Sequence, residues 1–134
     1  MVEFALVASV LLLLMSGAAD FARVFFHAIT VANASSTGAF WGTYNNVRAA
    51  QTDKQEFAAE DDARNIGDVT AIATMYCECT NGNSTDCFNP NCGGNGPVRI
   101  YTTTMVEQPF ESFFPWVGIP DDIFINRETH YRVQ

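Results

Sequence analysis

The sequence predicts an α+β fold: a long N-terminal α-helix, a short second helix, and a small antiparallel β-sheet head of about three strands. Three observations carry that expectation. Val2 to Ala50 holds no proline and is dominated by Leu, Ala, Val, Met and Phe, which favour helix. Its apolar pattern is unbroken at first and becomes one-sided after Asp20. From Val69 onward the period changes to two, the repeat of strands. At 134 residues the chain has material for one compact core. It divides into a hydrophobic helix over 1–50 and an α+β head over 51–134.

The first element is a helix from Val2 to Ala50, which at 1.5 Å per residue would span roughly 70 Å. Phe4 to Ala19, about sixteen residues, contains no charge. That is slightly under the roughly 17–25 residues of a membrane span, and with Met1, Val2 and some tilt it can still cross. A secretory signal has a similar apolar core. The lack of a basic start, and a helical pattern that continues past Asp20, mark it instead as a retained segment. Beyond Asp20 an inward stripe of Phe21, Val24, Phe25, Ala28, Val31, Ala32, Ser35, Ala39 and Gly42 is expected, with Arg23, His27, Thr30, Thr37 and Asn45 pointing elsewhere. Phe26, Phe40, Trp41 and Tyr44 are likewise read as core. The stripe narrows toward small residues, which let another helix or a sheet approach closely. Gly38 and Gly42 fit such tight packing better than a dimer motif.

Thr52 to Asn65 reads as the second helix, capped by Thr52 or Asp53 and ended by Gly67. Phe57 is placed on its apolar face, with Glu60, Asp61 and Arg64 charged. Ala71, Ala73 and Met75 lead a first strand into Cys77. Val98 to Val106 forms a second, bounded by Pro97 and Pro109, and Ile123 to Val133 a third. Between the last two lies an aromatic loop with Phe110, Phe113, Phe114 and Trp116, either head core or an exposed interface or adhesive patch.

Cys77, Cys79, Cys87 and Cys92 cluster in an Asn- and Gly-rich segment, spaced unlike a paired zinc motif. They are expected to form disulfides in an oxidising compartment. Four cysteines allow three pairings. A direct Cys77–Cys79 ring would be very tight, so both should reach toward Cys87 and Cys92.

Net charge of −8 argues against a nucleic-acid partner, which needs clustered Lys and Arg. No glycine-rich phosphate loop, metal-ligand helix or nucleophile–base pair stands out, so no catalytic residue, metal site or cofactor is expected. His27 and His130 read as structural or exposed. Asp61-Asp62 and Asp121-Asp122 suit solvated faces better than calcium. Asn33-Ala34-Ser35 and Asn83-Ser84-Thr85 fit a glycosylation pattern, the first inside a predicted helix and the second in an exposed loop.

Glu3 opens the apolar run. A carboxylate there is costly in hydrocarbon unless it has a partner, and its place near a helix N-terminus also suits the macrodipole. In a bundle of such helices it can meet the α-amino group of a neighbour and set axial register.

Val2-Glu3-Phe4-Ala5-Leu6-Val7-Ala8, the Leu run, and Asp20-Phe21-Ala22-Arg23 resemble the TadE-like pseudopilins of tight-adherence (Flp) type IV pilus systems. Asn33-Ala34-Ser35-Ser36-Thr37-Gly38-Ala39 is similar to the Ala-rich stretch that follows in that family. Looser likeness extends through Cys77-x-Cys79 and the β-run to Tyr131-Arg132-Val133-Gln134. The resemblance implies a pilin-like fold, an inner-membrane precursor, cleavage by a prepilin peptidase, work with pilus assembly machinery, and a helical homopolymer of identical subunits at the cell surface. Glu3 would be the assembly glutamate, within an assembly set of Glu3, Phe4, Leu11, Asp20 and Arg23. The family's glutamate usually stands fifth after cleavage, whereas here it is third. Ser9 also replaces the usual proline before the Leu run, so the helix should run unbroken. The alternative is a minor membrane-anchored pseudopilin that primes or regulates a pilus or secretion machine.

Overall fold

A computed structural model describes residues 2–94, 96–113 and 123–133. Phe114, Trp116 and Asp121-Asp122 lie outside the described residues. The chain opens with α1, Val2–Gly42, a 41-residue helix about 60 Å long. After a turn come α2, Asn46–Ala49, then α3, Thr52–Ala63, extended by a 3₁₀ turn at Arg64–Ile66. The sheet follows as β1, Thr70–Glu78; β2, Ser84–Thr85; β3, Arg99–Phe110; and β4, Ile123–Arg132. Its order is β2-β1-β3-β4 with every neighbour antiparallel. The architecture is α+β and pilin-like, with four strands rather than three. The two-residue β2 carries no periodicity of its own and exists by pairing Ser84 and Thr85 with Glu78 and Cys77.

The single helix expected to Ala50 ends instead at Gly42. Thr43 folds back, its amide and hydroxyl both donating to the Phe40 carbonyl. The Asn45 side chain then accepts from the Arg48 amide and starts α2. At α3 the capping expectation also fails. Gln51 holds the cap position without a side-chain bond, and Thr52 is already helical. Gly67, at φ 96°, does end the helical stretch in the left-handed region where glycine is favoured. β3 runs through Pro109 instead of stopping before it. β1 pairs no further than Glu107, so past that point β3 is an edge on one side and Pro109 faces no β1 partner.

The second half of α1 lies across the inner face of the sheet, and α3 packs beside it. Val31, Ala34, Ala59, Ala63, Ile66, Ala71 and Val106 form the core. So many alanines bring backbones close, most tightly at two glycines. A Cβ on Gly38 would lie 2.8 Å from the Gln55 carbonyl oxygen, and one on Gly42 2.7 Å from Thr102 Oγ1. The Gly38/Gly42 spacing therefore serves internal packing.

Buried amides lock the layers. Gln55 donates to the Arg48 and Ala49 carbonyls and accepts from the Thr102 hydroxyl. Gln108 donates to the Ile66 carbonyl and accepts from His27 Nδ1 at 2.8 Å, which assigns that ring proton to Nδ1. Ser35 meets Thr129 at 2.8 Å and Ser36 meets Tyr131 at 3.0 Å, joining α1 to β4. On the opposite flank, Glu60 and Glu56, one turn apart on α3, accept the Ala71 and Ala73 amides of β1 at 3.3 and 3.0 Å. These carboxylates occupy backbone donors that an exposed strand edge would otherwise offer.

Candidate assembly site

The apolar opening of α1 stands clear of the head. Phe4, Leu6, Val7 and every residue from Val10 to Met15 are exposed. An 18-residue window of this helix has mean hydropathy 2.0 and is 6% buried, long and apolar enough by composition to cross a membrane. Glu3 lies in the first turn, and Phe4 and Leu11 are both exposed along this segment. Ser9 returns its hydroxyl to the Leu6 carbonyl inside an unbroken helix, as expected without proline.

Asp20 ends the free segment and is 5% exposed. Its carboxylate accepts the Phe113 amide at 3.1 Å and lies 3.5 Å from Arg23. The Arg23 guanidinium rests over the Phe113 ring at 3.7 Å and the Phe110 ring at 5.1 Å, and donates to the Glu111 carbonyl at 3.4 Å. His27 meets Phe110 edge-on, with centroids 5.2 Å apart. The structure thus brings Asp20 and Arg23 together with Phe110 and Phe113 of the aromatic loop, and separates them from Glu3, Phe4 and Leu11 by several turns. Phe110 is core; Phe113 is 67% exposed.

Of the expected stripe, Val31, Ser35, Ala39 and Gly42 are buried and Val24, Ala28 and Ala32 half-buried, but Phe21 and Phe25 turn outward and Asp20, Ala34 and Gly38 join the inner face. The buried stripe is Asp20, Val31, Ala34, Ser35, Gly38, Ala39 and Gly42, with Arg23 and His27 partly covered. Phe21 and Phe25 are 77% and 69% exposed, and Phe26, Phe40 and Tyr44 also face outward. Phe57 on α3 is exposed too, while Gln55, Ala59 and Ala63 face the core. Reading aromatics as core failed because a narrow interface selects small residues. The overlooked signal was the spacing of Asp20, Arg23 and His27, in register with Val31, Ala34, Gly38 and Gly42.

The cysteines pair as Cys77–Cys87 and Cys79–Cys92, with Cα separations of 5.2 and 5.6 Å. Both bridges leave the end of β1 and close sequence separations of 10 and 13 residues. Inside the loop, the Asn89 and Phe88 amides hold the Asp86 carboxyl below its ordinary range. On the outer sheet face Tyr76 stacks on Tyr101, and burial with nearby Glu78 raises its hydroxyl above the usual value. Among the described residues, no group of three or more His, Cys, Asp or Glu is placed to hold a metal ion.

Residues 1–39 match the family model described as TadE-like protein. The N-terminal segment is TadE-like. The match covers Glu3, the apolar run, Asp20 and Arg23, and the likeness is to this segment alone. No curated protein and no solved structure matches the chain.

Proposed function

We propose that this chain is a structural subunit of an extracellular type IV pilus-like filament, polymerising through α1. The observation that carries the reading is the exposed apolar segment from Phe4 to Met15, headed by Glu3 and continuous with a folded head. Left bare in water, that surface is unfavourable by about 25 cal/mol per Å². A bilayer covers it in the precursor, and the helices of identical subunits cover it in the filament. Residues 1–50 then form the membrane and assembly segment and 51–134 the displayed head, although Val31 to Gly42 also belongs to the head's packing.

Glu3 of one copy meets the amino terminus of a neighbour, and an unpaired buried charge costs about 3–5 kcal/mol, so the pair sets axial register. Asp20 and Arg23 hold the head to the helix where the bare segment ends. In this reading a prepilin peptidase and the pilus assembly machinery are the other partners, and the role is non-catalytic. A second reading, that of a minor pseudopilin, rests on the same exposed apolar helix, which a bilayer alone would cover. In it the chain stays in the membrane and primes or regulates the pilus machine.

Electron microscopy of the sheared cell-surface fraction, with mass spectrometry of the same sample, separates the two. Uniform filaments with this chain as dominant protein, lost in Glu3→Ala, support the structural subunit. Filaments without it, with the chain retained in membranes, leave the minor pseudopilin.

A further inference from the structure

The outward face of α1 stays apolar well past the first charged residue that follows the apolar run. Leu11, Leu14, Ala18, Ala22, Phe25 and Ile29 recur at helical spacing on one face, and all are exposed. Phe21 and Phe26 flank them and are bare too. The polar residues of the same stretch, Ser9, Ser16, Asp20, Arg23 and His27, lie on the opposite face. Each is occupied there. Ser9 and Ser16 return their hydroxyls to the Leu6 and Leu13 carbonyls. Asp20 accepts the Phe113 amide, Arg23 donates to the Glu111 carbonyl, and His27 meets Gln108. The apolar series stops after Ile29, where Asn33 is exposed and Ser36 bonds Tyr131.

That placement changes the length available to a bilayer. Counted from Phe4 to Ala19, the uncharged run is about 24 Å long, short of a hydrocarbon core of about 30 Å. Counted along the outward face from Phe4 to Ile29, it is about 38 Å, enough for the core and part of one headgroup layer. A boundary about 30 Å along the helix from Phe4 falls near Val24 and Phe25. Side-chain size favours lipid over a second helix as the cover. Helices that pack in apolar surroundings select small residues, as α1 does at Ala34, Gly38 and Gly42 against its own head. The outward face instead enlarges to Phe21, Phe25 and Phe26, at the level where apolar side chains meet headgroups.

We infer that the head is seated in the bilayer surface along this face, with Phe25 and Phe26 at the hydrocarbon boundary and Ile29 in the headgroup layer. The partner is the lipid itself, and the charges at the base of the head are held on the other side of α1. A tilt of about 20° toward the outward face lifts Arg23 and the exposed Glu111 toward water while Phe21 and Phe25 sink. The inference rests on the membrane stage that both functional readings share, and it fixes how deep the head sits there.

The test uses the full chain, with both disulfides confirmed by mass spectrometry, reconstituted into phosphatidylcholine vesicles. The native cysteines are paired, so a fluorophore goes only to the one introduced by Leu11→Cys, Phe25→Cys, Phe26→Cys or Asn33→Cys. All four positions are exposed, so the head's packing is left alone. Each label is quenched either by doxyl groups on the lipid chains or by iodide on both sides of the membrane. Labels at Phe25 and Phe26 should be quenched by doxyl as the Leu11 label is, and by iodide at least about fivefold less than the Asn33 label. Labels there that behave like the Asn33 label, with Leu11 still quenched by doxyl, overturn the seating and leave the anchor intact. Exclusion of both quenchers from Phe25 and Phe26 places a second copy on the face and also overturns it. A Leu11 label open to iodide fails the membrane stage itself, and with it both functional readings.

Discussion

Two neighbouring threonines on β3 show how one hydroxyl can help while another costs. Thr102 and Thr104 are both fully buried on the face that meets α1 and α3. The Thr102 hydroxyl donates to Gln55, whose two amide hydrogens are spent on the Arg48 and Ala49 carbonyls. Thr104 Oγ1 is buried with no hydrogen-bond partner among the described residues. Thr104→Val should therefore be neutral or stabilising by about 1 kcal/mol, whereas Thr102→Val strands the Gln55 oxygen and should cost about 1–3 kcal/mol. Thermal unfolding of the detergent-solubilised protein reads both, and equal losses would refute the distinction. The alternation that puts both threonines inward was legible in the sequence. Which of them has a partner was not, because Gln55 lies 47 residues away.

At the scale of elements, α1 is two helices in function though continuous in structure. Phe4 to Met15 stands clear of the described head, and the second half of α1 is shaped by the sheet and α3. Gly42 is where that shaping is tightest, since an added methyl would collide with Thr102 and the Gln55 carboxamide. Gly42→Ala should destabilise the head by about 1–3 kcal/mol despite alanine's better helix propensity, as measured by denaturant unfolding. A gain in stability would mean the contact yields easily. The small-residue gradient after Asp20 announced close packing correctly. It placed Val31, Ser35, Ala39 and Gly42 on the inner face but put Phe21 and Phe25 there too, because the bulky aromatics of α1 dominate any hydropathy pattern.

At the scale of the whole molecule, the connection between bare helix and head runs through Asp20. Its carboxylate ties Phe113, three residues past the end of β3, to the point where α1 leaves the head. Asp20→Ala removes the acceptor for that amide and the neighbour of Arg23, and should speed hydrogen exchange at Phe113 well above that in Asp20→Asn, which keeps an acceptor oxygen. Identical exchange in the two variants would show that the tie contributes nothing. The disulfides act at the same scale: both leave the end of β1 and hold a polar loop that has little apolar surface of its own.

The sequence by itself determined the class of this protein. An uncharged run headed by Glu3, a helical period continuing past Asp20, alternation from Val69 onward and four clustered cysteines are local patterns, and local patterns survive without tertiary context. Tertiary structure alone decided that the aromatics of α1 turn outward, the break at Gly42, the existence of β2, the choice of cysteine pairs and the partners of Asp20, Gln55 and Glu56. The physical reason is that each depends on shape and hydrogen-bond complementarity between segments far apart in the chain. There, a narrow contact favours alanine, glycine and satisfied polar groups over the most hydrophobic residues available.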